Sequence, residues 1–262
     1  MPDPHITVRN ENRVTRIILH CPPLNILTAG LQTKLRAEVE AASRRNDVNL
    51  LILQSGIPGC FSGGADVAEH LGRDKVQAML AAAHGLIEAL LRCPVPTLCA
   101  VNGTCLGGAF ELALACDMQL VATEAKLGLP EITLGAYPPA ALVLAPQKLP
   151  PALAAELITG GVIYPAHQLA QRGAGFSLVV SAALDAEVEA VASRYSGLPR
   201  GPLVEATCLL RSGAAERFRA AVGPMEQNYL ERLLAIDDAV EGSKAFLEKR
   251  KPAWSHKGHD RA

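Results

Sequence analysis

Short, uninterrupted apolar runs separated by stretches of helical spacing constrain the fold of this chain more than any other feature. Residues 50–53 (Leu-Leu-Ile-Leu), 97–101 and 118–122 are strand-length runs with hardly a polar position. A strand apolar on both faces belongs inside a sheet covered on both sides. Residues 29–45, with apolar positions at 31, 35 and 39, and residues 74–92 and 108–116 have the spacing of helices. Strands and helices in this alternation predict a parallel sheet built from crossover units, class α/β, without a period regular enough to be a sequence repeat. Ahead of it, residues 5–8, a turn at 10–12 and residues 14–20 read as a hairpin. Strand signals fade beyond residues 176–180, and 185–195, 202–210 and 237–249 read as helices. Gly197, Pro199, Gly201 and Pro202 place a boundary near residue 200, between a sheet-bearing core (1–200) and a helical C-terminal region (201–262).

The composition narrows the function classes. With 49% apolar residues and only 4% aromatic ones, the core is built from Ala, Leu, Val and Ile. A net charge of −1 provides no global field for nucleic acid or an anionic membrane, so any anion site is local. Seven scattered cysteines, without a CxxC or a zinc-ligand spacing, predict reduced thiols and no metal site. No basic leader and no membrane-length apolar stretch is present, and the expected compartment is the cytoplasm.

Glycine and carboxylate coincide at three places. Phe61-Ser62-Gly63-Gly64-Ala65-Asp66 follows a buried strand; its glycines let backbone N–H groups face a ligand, and Asp66 suits an N-cap. An ordinary strand-to-helix loop has the same look. Residues 101–113 run from a strand through Gly103, Gly107 and Gly108 into a helix whose free amides and positive dipole end sit at Gly108. Glu111 shares a helix face with position 108, although a lone glutamate in a first turn is ordinarily a cap. In Leu127-Gly128-Leu129-Pro130-Glu131-Ile132-Thr133-Leu134-Gly135 a carboxylate stands among apolar residues, either as a buried group with a purpose or on a surface turn forced by Pro130. Cys60 and Cys105 lie near the glycine loops but without a base in sequence, and read as packing. His70, one short turn past the first loop, either enters the acyl pocket or lies on the surface, the commoner place for a histidine, and the His256-Lys257-Gly258-His259 tail is read as a frayed terminus.

Taken together, these motifs resemble the crotonase family of enoyl-CoA hydratases and isomerases over nearly the whole chain, from Pro23-Leu24-Asn25 through both glycine loops and Pro130-Glu131 to the Glu241–Pro252 segment. The resemblance implies a crotonase (ClpP/crotonase-like) spiral of ββα units with a C-terminal helical region that associates into a trimer or a dimer of trimers. It implies that the N–H groups of Ala65 and Gly108 form an oxyanion hole for the thioester carbonyl of an acyl-CoA, and that Glu111 and Glu131 hold and activate water. Gly63, Gly64, Asp66, Val67 and Gly107 would frame that site, with Pro23, Leu24, Lys249 and Lys251 along the CoA. No cofactor is required, coenzyme A being part of the substrate.

The departures from the family pattern concern the acyl group. Where fatty-acid hydratases carry a Thr-Gln-Arg segment, this chain has Ala136-Tyr137-Pro138-Pro139, a loop expected to shape the acyl pocket through Tyr137 and Pro138. Pro22 stands where many members have a lysine. This loop, with Pro22-Pro23-Leu24-Asn25 and the stretch Ala65-Asp66-Val67-Ala68-Glu69-His70, resembles alicyclic dienoyl-CoA hydratases of anaerobic aromatic degradation, which act on a product of benzoyl-CoA reduction. The rival expectations are a straight-chain enoyl-CoA hydratase, an isomerase or ring-opening hydrolase, and a non-catalytic acyl-CoA-binding scaffold.

Overall fold

A computed structural model describes residues 5–257. The chain opens with an antiparallel hairpin, β1 (His5–Glu11) and β2 (Val14–His20), turned by Asn12 and Arg13 at positive φ. Helix α1 (Ala29–Ser43) starts where the Thr28 hydroxyl accepts from the Leu31 amide and buries Leu35 and Val39, two of the three positions singled out by spacing.

Three ββα units follow. The first has β3 (Leu50–Ser55), β4 (Cys60–Ser62) and α2 (Arg73–Leu91); the second β5 (Thr97–Val101), β6 (Thr104–Leu106) and α3 (Gly108–Ala115); the third β7 (Met118–Ala122), β8 (Lys126–Gly128) and α4 (Pro139–Lys148). The first strand of each unit joins one sheet and the second joins another. Helix α5 (Pro151–Gly160), β9 (Ile163–Pro165), α6 (Ala166–Gln171) and β10 (Ser177–Val179) close the two sheets, whose orders are β1-β2-β3-β5-β7-β10 and β4-β6-β8-β9. All pairings are parallel except β1 with β2 and β8 with β9.

The apolar runs are explained by burial on both faces. Leu51 and Leu53 of β3 point into the main core with Phe61 and Phe110, while Leu50 and Ile52 pack, together with Leu98 and Leu120, under Leu184 and Val188 of α7 (Leu184–Ser196). The strands β4, β6 and β8 are only three residues long, too short to leave a periodic signal of their own.

After α7 come α8 (Arg200–Leu210), α9 (Ala214–Glu231) and α10 (Asp237–Leu247), so the chain past residue 200 is helical. Helix α9 packs on α2 and α4 and contributes Phe218 and Val222 to the main core. Helix α9 has no readable period in the sequence, because Gly223 and Pro224 interrupt its pattern, and the expected loop Ala136-Tyr137-Pro138-Pro139 ends in a helix. Pro139 begins α4: at a first helical position its fixed φ suits the helix and its missing N–H costs nothing. The cysteines are all unbridged, and Cys60 and Cys105 are buried packing groups. The tail is not frayed as far as it is described: the amides of Ser255 and His256 donate to Asp238, while Gly258 and His259 lie outside the described residues. Among the described residues no helix is long and apolar enough to cross a membrane.

Candidate active site

Strands β4, β6 and β8 are adjacent and parallel, so their C-terminal ends open at one edge of the small sheet. Each delivers one of the three glycine and carboxylate segments, and this is why segments far apart in sequence meet. The ends of parallel strands are the ordinary place for a ligand crevice. The loop after β4 crosses close beneath the loop after β6: a Cβ on Gly64, whose φ is +99°, would stand 2.6 Å from the Leu106 carbonyl oxygen. Glycine is required there. Beyond it, the Ala65 nitrogen lies 3.8 Å from the Cβ position of Gly108. Gly108 is the first residue of α3, where backbone N–H groups have no intrahelical acceptor. Ala65 and Gly108 both line a chamber of about 610 Å³.

Both glutamates line that chamber. Glu111, one turn into α3, is 5% exposed, and its Oε1 accepts from the Ala141 amide at 2.8 Å. Helix α4 has no side-chain cap of its own at Pro138, and the Glu111 carboxylate of α3 fills that role. Burial pushes the Glu111 carboxyl up, while the Ala141 amide, the nearby His84 and the Ala140 amide oppose the rise. Glu131 sits in a 3-10 turn, Pro130–Leu134, directly after β8. Its Oε2 is shielded from solvent and has no hydrogen-bond partner, so it is neither a surface group nor a satisfied one. Burial first, and the charge of Glu111 second, push it up to about 8. Its Oε1 lies 2.7 Å from where a Gly107 Cβ would be.

Most of the residues singled out from sequence come together. Gly63, Gly64, Ala65, Asp66 and Val67 line the chamber, as do Gly107, Gly108, Tyr137, Pro138 and Leu24. Asp66 is the expected N-cap, accepting from the Ala68 amide at 2.9 Å. Pro23, Lys249 and Lys251 are not in the lining: Pro23 precedes Leu24, and the two lysines follow Phe246 and Leu247, which do line it. Of the two places open to His70 it takes the less common one, in the chamber wall, and burial lowers its imidazole pKa.

Sequence reasoning missed Met79, Leu80 and His84 of α2 and Tyr229 of α9, all in the lining. His84, the single polar residue in the apolar stretch 78–87 of α2, is the visible signal. Tyr229 left none, standing in a helix that Pro224 conceals. Its ring meets Tyr137 edge to face at 5.0 Å, and the Tyr137 hydroxyl donates to Asn228 Oδ1 at 3.1 Å and Met225 O at 3.2 Å. Burial pushes Tyr137 up to about 12, so it remains a neutral phenol.

Comparison with known proteins gives the family. The profile of the enoyl-CoA hydratase/isomerase family matches residues 9–257. Cyclohexa-1,5-dienecarbonyl-CoA hydratase of Thauera aromatica is 33% identical over 257 residues, covering 96% of each chain. Mitochondrial methylglutaconyl-CoA hydratase of Mus musculus is 29% identical, covering 95% of this chain and 82% of its own. A solved enoyl-CoA hydratase from Bacillus halodurans superposes with a TM-score of 0.85 at 19% identity, over 92% of this chain and 99% of that one, and shows the fold. The chain therefore belongs to the enoyl-CoA hydratase/isomerase family, and is an enzyme of the enoyl-CoA hydratase, hydro-lyase, type.

Proposed function

We propose that this enzyme adds water to a conjugated alicyclic dienoyl-CoA thioester, with Glu111 as the base, Glu131 as the acid, and the amides of Ala65 and Gly108 as the oxyanion hole. The observation that carries the reading is the unpartnered Oε2 of Glu131 beside a second carboxylate whose Oε1 is already held. Two neighbouring carboxylates resist joint ionisation. The backbone amide on Glu111 favours the charged form there, so the shared proton rests on Glu131.

Glu111 accepts a proton as water oxygen bonds to the conjugated carbon. The displaced electron pair moves into the thioester carbonyl, and the Ala65 and Gly108 amides bind the enolate oxygen more strongly than the neutral carbonyl. Glu131 then supplies the proton that becomes bound to carbon, and the balance is one water added. No cofactor enters these steps, coenzyme A being part of the substrate. The rings of Tyr137 and Tyr229, both in the chamber lining, support an alicyclic acyl group, because aromatic surface packs well against a ring. Along the CoA, Pro23 and Leu24 would lie by the thioester arm and Lys249 and Lys251 by the phosphates. The C-terminal region 201–262 would support a homotrimer or a dimer of trimers, in the cytoplasm.

Incubation of the purified enzyme with cyclohexa-1,5-diene-1-carbonyl-CoA and with crotonyl-CoA in H2(18)O tests the proposal. Label appears in the product, kcat/KM is higher for the cyclic substrate, and Glu111→Gln or Glu131→Gln lowers turnover by at least about a hundredfold. Preference for crotonyl-CoA would assign a straight-chain hydratase. Binding without turnover of either thioester would leave a scaffold.

A further inference from the structure

Tyr137 stands on a segment tied on both sides to the two glutamates, and its side chain reaches from there to the C-terminal helices. Immediately before it, the Ala136 amide donates to the Glu131 carbonyl at 3.0 Å. Just after it, in the first turn of α4, the Ala141 amide donates to the Glu111 carboxylate at 2.8 Å. Pro138 and Pro139 lie between, and their rings fix φ, so the backbone under Tyr137 has little freedom relative to either acid.

The far end of the side chain is held as well. The phenol hydroxyl has two acceptors on α9, Asn228 Oδ1 at 3.1 Å and the Met225 carbonyl at 3.2 Å. Its one hydrogen is shared between them or passes from one to the other. A phenol oxygen lies on the axis about which the ring spins, so this anchor sets the direction of the side chain but not the tilt of the ring. Tyr229 supplies that second restraint, meeting the Tyr137 ring at 63° with centroids 5.0 Å apart. Tyr229 is itself 2% exposed and packed with Val76, Met79 and Leu80 of α2. Both rings line the chamber with Glu111 and Glu131, whereas Asn228 and Met225 lie outside the lining. A phenylalanine would give the same apolar surface; what the hydroxyl adds is a fixed place for it.

We propose that Asn228, together with the Met225 carbonyl, is a positioning residue for Tyr137 and through it biases the enzyme toward ring-shaped acyl groups over flexible straight chains. The inference rests on the reading of this chamber as the acyl site of an alicyclic hydratase and gives that selectivity a cause. A cyclic acyl group has few rotors to freeze and gains most from a wall already in place. A straight chain adjusts to a wall that moves, so loosening Tyr137 costs the cyclic substrate more than the linear one.

The experiment measures kcat/KM for cyclohexa-1,5-diene-1-carbonyl-CoA and for crotonyl-CoA, and takes the ratio of cyclic to linear. The variants are Tyr137→Phe, Asn228→Ala, Asn228→Asp and the double variant Tyr137→Phe with Asn228→Ala. Tyr137→Phe keeps the ring and removes the anchor, and the ratio falls about fivefold, the worth of one hydrogen bond. Asn228→Ala leaves the Met225 carbonyl and lowers the ratio by about twofold, while Asn228→Asp keeps an acceptor and the wild-type ratio. The double variant falls no further than Tyr137→Phe, because both side chains act through one bond. An unmoved ratio in Tyr137→Phe, equal losses for both thioesters, or losses that add in the double variant overturn the role of the anchor. A wild type that prefers crotonyl-CoA overturns the alicyclic reading instead, and the anchor is then judged by whether Tyr137→Phe still shifts the ratio toward the linear substrate. Should Tyr137→Phe not fold, Asn228→Ala and Asn228→Asp decide, since Asn228 is exposed and tolerates change.

Discussion

Glu131 holds a polar atom that the fold leaves unsatisfied, and that cost has a sign that can be measured. Its carboxyl titrates near 8 in the folded chain against an ordinary value of 4.5, so the folded state keeps a proton that the unfolded state releases between those limits. Stability therefore falls as pH rises from about 4.5 to about 8 and stays lowered above, at about 1.4 kcal/mol for each unit of difference. Glu131→Gln removes the ionisation. The variant is expected to melt at least about 3 °C above wild type at pH 8.5, with the gap closing by pH 4.5; equal melting points at both pH values would contradict burial of the acid. Activity has the same dependence, since an acid must be protonated: kcat/KM declines as pH passes about 8.

At the scale of elements, the turn between β6 and α3 is as restrictive as the carboxylates. Gly107 has φ +54°, and a Cβ there would stand 2.7 Å from Glu131 Oε1. Gly107→Ala is expected to displace the acid and reduce kcat by about a hundredfold, with little loss of far-UV circular dichroism; an active variant would show that Glu131 tolerates movement. Helix α4 illustrates a different coupling. Its start is capped by Glu111 rather than by a residue of its own, so the first turn of α4 and the Glu111 carboxylate are held by one hydrogen bond. The prolines are plain in the sequence and predict a loop, yet the second of them begins a helix. Proline marks a break but does not say on which side of it a helix lies.

Across the whole molecule, the C-terminal helices are part of the enzyme's core as well as its chamber. Phe218 is buried in the main core, and Tyr229, Phe246 and Leu247 line the chamber. Phe218→Ala is expected to cost about 3–5 kcal/mol in one cooperative chemical denaturation. Two separate transitions would instead indicate that the region past residue 200 folds independently.

The sequence by itself determined the class of fold, the long strands β3, β5 and β7 and the helices between them, because strands buried on both faces and helices buried on one leave runs and periods that can be read locally. It also supplied Glu111, Glu131 and both glycine loops, which are short motifs whose chemistry needs glycine and carboxylate in fixed order. Tertiary structure alone decided that His70 enters the chamber, that α9 returns to wall it, and that His84 meets Glu226 across 142 residues. Periodicity records that a face is buried but not what buries it. The partner is chosen where parallel strand ends and returning helices meet, and no local pattern carries that information.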